Sequence, residues 1–320
     1  MTDYDVFNGD ADGLCALTQL RLAEPRDAVL VTGVKRDIDL LKKVDGKAGD
    51  RITVLDVSLD KNRADLDRVL AAGASVFYVD HHFPGDELPQ SHALTLIINE
   101  AADVCTSLLV DNHLQGAFRG WAIVGAFGDN LRKSALGLAK NSIYGEEQLK
   151  RLEDLGIYIN YNGYGSNLED LHFTPEDLYR KISRYADPLD FIKDGGADFE
   201  KLETGYHQDM KAAAELPPEK ATAKTAVFML PDEPWARRVS GVYSNDLANN
   251  NPDRAHAIIT RRKDGNYLVS VRAPLTNKTG AVDLCKQFPT GGGRAAAAGI
   301  NVLPTEMLDQ FIDTFTAFYS

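Results

Sequence analysis

Three short apolar runs each end in a carboxylate, and one of them adds two imidazoles. Tyr4–Phe7 leads into Asn8-Gly9-Asp10-Ala11-Asp12-Gly13, Ile52–Leu55 into Asp56, and Ser75–Val79 into Asp80-His81-His82. Acids gathered on one sheet edge repel one another unless cations stand among them. Hard oxygen donors mixed with imidazole suit Mn²⁺ or Mg²⁺ better than structural zinc, which recruits cysteine. In an extended turn, side chains at i and i+2 share a direction, so Asp10 and Asp12 can reach one cation or a pair. Taken alone, Asn8–Gly13 is a turn with a helix cap, and a lone histidine is more often a core or surface residue than a ligand. Three acid-ended strands beside a histidine pair reverse those odds. Gly128-Asp129-Asn130, after the apolar stretch Trp121–Phe127, reads alone as a helix C-cap and beside the others as a further ligand.

A second set of candidates lies near the C-terminus. Arg272 ends an apolar run ahead of Pro274, and Gly291-Gly292-Gly293 precedes Arg294. Glycines let backbone N–H groups approach a phosphate or base, or simply make a tight turn into the strand Gly299–Leu303, and the residues alone leave the two readings level. Tyr158–Gly165 interleaves tyrosine with Asn and Gly, which reads as a loop over the core more readily than as a base-stacking platform. Lys35-Arg36, Arg132-Lys133, Arg237-Arg238 and Arg261-Arg262-Lys263 read as solvated surface, although the first pair follows a strand and is placed to reach the site.

The elements that must position these residues alternate. Strand patterns at Tyr4–Phe7, Ala28–Thr32, Arg51–Leu55, Ser75–Val79 and Leu94–Ile98 are separated by helical stretches such as Leu14–Ala23 and Lys61–Ala72, which implies βαβ units and a mainly parallel sheet. Ligands in such sheets bind at the carboxyl edge. Helical periodicity then dominates to about residue 215, and Leu216–Lys224, with two prolines and three lysines, reads as a linker. Beyond it come strands Thr225–Leu230, Ala255–Thr260 and Tyr267–Val271, helices Pro234–Asn249, Ala281–Phe288 and Met307–Tyr319, and a hairpin signal at Asp264-Gly265. The expectation is an α/β protein: a parallel-sheet domain over 1–190, a helical linking segment over 191–221, and a smaller α/β domain over 222–320.

Composition narrows the partners. The 320 residues carry 35 Lys and Arg against 47 Asp and Glu, a formal net charge of −12, which argues against a long electrostatic track along duplex DNA but not against a local basic pocket for one small anion. The three cysteines, Cys15, Cys105 and Cys285, form neither a CxxC site nor a disulfide framework. With neither a secretory signal pattern nor an apolar run near membrane-spanning length, the expectation is a cytoplasmic protein without membrane contact.

The ordered motifs resemble those of the DHH phosphoesterases: Asn8–Gly13 the first, Asp56 the second, Asp80-His81-His82 the third and Asp129 the fourth. Val269–Arg272 and Gly291–Gly299 resemble the DHH-associated C-terminal substrate domain. The resemblance implies a pair of Mn²⁺ ions, with Mg²⁺ as the alternative, bridged by Asp56. It implies that Asp10 holds one ion and that Asp12, His81 and Asp129 hold the other. It also implies that Asp80 orients His81 or ligates weakly, and that His82 faces the scissile phosphate as a hydrogen-bond donor. Asn8 stands nearest the position of an acid in RecJ-type members, and Arg294 stands where the C-terminal signature ends in His, a change compatible with binding phosphate. Asn8, Arg272, Gly291, Gly292, Gly293 and Arg294 are then the substrate-side residues. The expected activity is hydrolysis of linear dinucleotides of the pGpG type, or very short RNA, to mononucleotides in a cleft between the domains. The alternatives are a single-strand exonuclease, a phosphatase of bisphosphate nucleotides such as pAp, and a nucleotide-binding protein that has lost catalysis. A homodimer is left open.

Overall fold

The computed structural model describes residues 1–140 and 142–320 and divides into two units, Met1–Thr204 and Gly205–Ser320. The first unit opens with β1 (Asp3–Phe7), α1 (Ala11–Ala23), β2 (Val29–Val31), β3 (Arg51–Leu55), α2 (Leu59–Ala71), β4 (Ser75–Asp80) and β5 (Leu94–Ile98). It continues through α3 (Thr106–His113), α4 (Arg119–Gly128), α5 (Arg132–Ala139), α6 (Glu146–Gly163), α7 (Pro175–Ile182), α8 (Pro188–Asp194) and α9 (Ala197–Ala214), whose last turns lie in the second unit. The second unit adds β6 (Lys220–Ala221), β7 (Thr225–Leu230), α10 (Pro234–Asn250), β8 (Ala255–Arg261), β9 (Tyr267–Arg272), α11 (Ala281–Cys285), β10 (Gly291–Gly293), β11 (Ala297–Leu303) and α12 (Leu308–Phe318).

The five strands of the first unit are all parallel, in the order β2-β1-β3-β4-β5. Runs such as Ile52-Thr53-Val54-Leu55 are buried along their length because helices cover both sheet faces. One face packs Val54, Leu66, Val69 and Tyr78 into a core with α2. α1 is buried from Ala11 to Arg21 and packs against α3, α4 and α6, as a helix apolar on most sides must. β1 lies between β2 and β3, so the chain reverses its direction of travel across the sheet there. Such a switch point opens a crevice beyond the carboxyl ends of the strands.

The second unit is a six-stranded mixed sheet, β10-β11-β9-β8-β7-β6, parallel only between β7 and β8. Its core joins Val227, Ile259, Val269 and Ile300 to Phe311 and Phe315 of α12. The expected hairpin at Asp264-Gly265 forms, with Gly265 at φ +85°. The chain is thus α/β as expected, a parallel-sheet unit with a helical extension followed by a smaller α/β unit. Among the described residues no helix is long and apolar enough to cross a membrane.

Two local readings change. Tyr158–Gly163 is the last part of α6 rather than a loop, with Tyr158 and Tyr161 buried. Its Asn residues interrupt the apolar period because they bond to buried partners. Asn162 Oδ1 accepts from the His172 and Phe173 N–H groups, and its Nδ2 donates to the Phe173 carbonyl. Arg237 and Arg238 are not solvated surface either: Arg237 is buried in an ion pair with Asp232, and Arg238 meets Asp209 at 2.7 Å.

Candidate metal centre

The first motif begins at the end of β1, and its geometry is a helix cap rather than an extended turn. Asp10 Oδ1 accepts from the N–H groups of Asp12 and Gly13 at 3.0 and 3.1 Å, starting α1. Asp12 therefore lies in the first turn of α1 and points elsewhere. Its carboxylate accepts from Thr106 N at 2.7 Å and Ser107 N at 2.6 Å, the opening amides of α3, where the helix field favours an anion. Asp56 follows β3 at φ +57°, a conformation few non-glycine residues adopt and one that clusters at functional sites. The Asp56 N–H donates to Val79 O in β4, and Thr106 Oγ1 donates to its carboxylate at 3.4 Å. Asp129 caps the C-terminus of α4, followed by Asn130 at φ +61°. It is both the expected cap and a carboxylate aimed at the other acids.

The two histidines are oriented differently from the expectation. His81 Nδ1 lies 3.0 Å from the Val104 carbonyl, so it carries the proton, leaving Nε2 as a lone-pair donor. Nε2 stands 3.5 Å from Asp56 Oδ1 and 3.9 Å from Asp12 Oδ2. Asp80 turns to His82 instead, with Oδ1 2.7 Å from Nδ1. The alternation of an extended chain explains this: residues 80 and 82 share a side that 81 does not. The second Asp80 oxygen is buried without a hydrogen-bond partner.

Ligand atoms of Asp12, His81 and Asp129 lie within 4.8 Å of one another, and so do those of Asp56, His81 and His82. Two carboxylates and an imidazole, with a third carboxylate sharing that imidazole, fit a Mn²⁺- or Mg²⁺-type ion. Cys105 is in neither group, and burial, then the charges of Asp12 and Asp129, push its pKa well above the ordinary thiol value. The electrostatics point the same way. Burial, then the neighbouring Asp10 and Asp12, raise the Asp56 pKa well above the ordinary carboxylate value. Burial, only partly offset by Lys35, lifts Asp129 to about 6. Burial presses His82 toward neutrality, but its bond to Asp80 and the charges of Asp56 and Asp80 leave its pKa raised.

Asp10 belongs to neither ligand group. Lys35, expected on the surface, donates to Asp10 Oδ2 at 2.5 Å and to Asn160 Oδ1 at 3.0 Å, and its side chain is only 22% exposed. The signal for Lys35 was its place just after a strand at the carboxyl edge. Asn160, Thr106 and Ser107 gave none, since their roles depend on contacts across 50 or more positions. Asn8 is buried and donates from Nδ2 to the Lys35 carbonyl at 3.3 Å.

In the second unit, Arg272 ends β9, with Nε donating to Asn245 Oδ1 at 2.8 Å. Ala297 pairs with Arg272 in register, which brings the β10–β11 turn and the exposed Arg294 to the same end of the sheet. Gly291–Gly293 is an edge strand, not a loop. A Cβ at Gly291 would meet the Cys285 carbonyl at 1.8 Å and one at Gly293 the Ala298 backbone at 2.5 Å, whereas Gly292 faces open space. Packing therefore accounts for two of the three glycines and not for Gly292.

Residues 222–320 match the family model of the DHHA1 domain. The whole chain shares its fold with solved structures of RecJ. It superposes on an exonuclease RecJ bound to manganese (TM-score 0.64, 18% identity, 99% of this chain and 90% of that one). It also superposes on RecJ in complex with Mn²⁺ from Thermus thermophilus (TM-score 0.66, 18% identity, 99% and 52%). A pGpG-specific phosphodiesterase, PggH from Vibrio cholrae, is similar across 100% of this chain and 99% of its own (TM-score 0.57, 15% identity). No curated protein matches. The resemblance read from the ordered motifs thus stands at the level of fold, with a DHHA1 domain as its second unit.

Proposed function

We propose that the chain is a divalent-cation-dependent phosphodiesterase that hydrolyses linear dinucleotides of the pGpG type, or very short RNA, to mononucleotides. The observation that carries this reading is the convergence of Asp12, His81 and Asp129 at the carboxyl edge of the sheet, with Asp56 and His82 beside them. When bound there, Mn²⁺ or Mg²⁺ lowers the pKa of a water and offsets charge on the phosphate. The chain's own groups divide the remaining work. The Val104 carbonyl fixes the tautomer of His81, and the opening amides of α3 hold the Asp12 carboxylate in place. His82, whose pKa is raised by its bond to Asp80 and by the charges of Asp56 and Asp80, donates a hydrogen bond to a phosphate oxygen when protonated. Arg272 and Arg294 take a terminal phosphate and Gly292 its close backbone approach.

A net charge of −12 disfavours long polyanions, and the fold likeness to a pGpG-specific phosphodiesterase runs the length of both chains. Both support a substrate of two to a few nucleotides. Rates on 5′-phosphorylated RNAs of about two, five and twenty nucleotides with Mn²⁺ test this, since steady-state kcat/KM compares transition-state binding directly. The dinucleotide is expected to be cleaved fastest. Fastest cleavage of the longest RNA favours the single-strand exonuclease, and no mononucleotide from any length overturns the proposal.

A further inference from the structure

The carboxylates of the centre do not all serve one purpose, and Lys35 marks the division. Both oxygens of Asp10 are engaged: Oδ1 by the Asp12 and Gly13 amides, Oδ2 by the Lys35 ammonium. The same ammonium donates to Asn160 Oδ1 and stands 5.2 Å from the centre of the Tyr164 ring, so it is held from three sides rather than swinging in solvent. The neighbouring side chain at the end of β1 is Asn8, a neutral amide whose Nδ2 donates to the backbone carbonyl of Lys35. An aspartate at position 8 could not make that bond, because it would set a carboxylate oxygen against a carbonyl oxygen. Asn8 and Lys35 therefore form a matched pair: a neutral group where an acid would strengthen a cation site, and a fixed ammonium where a cation's charge would be.

A divalent ion placed on Asp10 would stand against that ammonium, and like charges at such range in a partly buried site are strongly unfavourable. Asn8 Oδ1 is buried without a hydrogen-bond partner but is a neutral amide oxygen, and among the described residues Asp10 belongs to neither group of converging ligand atoms, where such an ion gathers several hard oxygen donors. Asp12, His81 and Asp129 bring their ligand atoms within 4.8 Å of one another, and there the Lys35 charge acts to lower the Asp129 pKa. We propose that Lys35 takes the place of the second divalent ion, so that the chain binds one ion, at Asp12, His81 and Asp129 with Asp56 alongside, and supplies the other positive charge itself. This rests on the reading of the centre as a divalent-cation site. In that arrangement the Lys35 ammonium neutralises Asp10 and presents fixed positive charge to the phosphate, without metal exchange on that side.

The test is metal stoichiometry. The chelator-stripped full-length chain is titrated with Mn²⁺ by calorimetry, and the loaded protein is read by electron paramagnetic resonance. The expected result is one ion per chain with the hyperfine pattern of an isolated Mn²⁺. In the double variant Asn8→Asp, Lys35→Met, checked for folding by circular dichroism, a second ion and the spectrum of an exchange-coupled pair are expected. Two ions or a coupled spectrum in the unaltered chain overturn the role of Lys35 and leave the hydrolase reading standing. A folded double variant that still takes one ion also overturns it. An unaltered chain that takes no ion removes the hydrolase reading itself. The unaltered chain decides the matter even where the double variant does not fold.

Discussion

Asp129 and His82 carry opposite consequences for pH. Asp129, with a pKa of about 6 in the ion-free protein, must lose its proton to bind a cation, so protons compete with Mn²⁺ below that value. Mn²⁺ affinity is expected to fall about tenfold per pH unit below about pH 6. The same carboxyl binds more protons in the folded ion-free protein than in the unfolded chain between its ordinary value of 3.8 and about 6. Its contribution to stability is therefore lost as pH rises through that window and is recovered by metal. The rise in Tm on adding Mn²⁺ should be larger at about pH 7.5 than at about pH 5, which differential scanning calorimetry reads. On the proposed reading the protonated form of His82 is the one that serves the phosphate, and its raised pKa extends that form to higher pH. Activity should decline on the alkaline side as His82 deprotonates, and His82→Asn should flatten that limb while leaving bound Mn²⁺ unchanged. Asp129→Asn should instead lower Mn²⁺ affinity by on the order of 100-fold or more, since altering even a ligand's supporting partner costs about 10–100-fold.

The placement of Asp129 depends on how two helices meet. α4 and α6 approach at a pair of glycines: a Cβ on Gly156 would meet the Val124 carbonyl at 2.4 Å and the Gly128 nitrogen at 2.9 Å. Both neighbours are backbone and cannot rotate away, so Gly156→Ala should cost about 1–3 kcal/mol as overpacking. It should also weaken Mn²⁺ binding, because Gly128 immediately precedes the ligand. Denaturant titration and calorimetry measure the two effects, and loss of stability with unchanged metal affinity would show that the helix contact does not set the site. The elements themselves were largely legible. Apolar runs ending in acids gave β1, β3 and β4, and a Gly after Ala72 marked the end of α2. The C-terminal turns of α6 were not, because Asn160 and Asn162 break the apolar period while answering partners outside the helix, Lys35 for Asn160 and the backbone at His172 and Phe173 for Asn162. Lys35 read as surface for the same reason: its partners Asp10 and Asn160 lie 25 and 125 positions away, and only the fold brings them together. The glycine run read as a loop because its demand for small residues comes from Cys285 and Ala298, which local pattern does not reveal.

On the proposed reading, work across the whole chain is divided between a unit that gathers acids and imidazoles and a DHHA1 domain that carries Arg272 and Arg294. Arg272→Ala should raise KM for a dinucleotide, or lower kcat/KM, while the Mn²⁺ content stays that of the unaltered protein. Loss of metal in that variant would contradict the division. The most direct test of the account is the initial rate of mononucleotide release from a 5′-phosphorylated dinucleotide by chelator-stripped protein, before and after Mn²⁺ is restored. The account predicts no turnover without the ion, recovery with it, and no recovery in Asp56→Ala. Equal rates with and without Mn²⁺, or full recovery in Asp56→Ala, would contradict it.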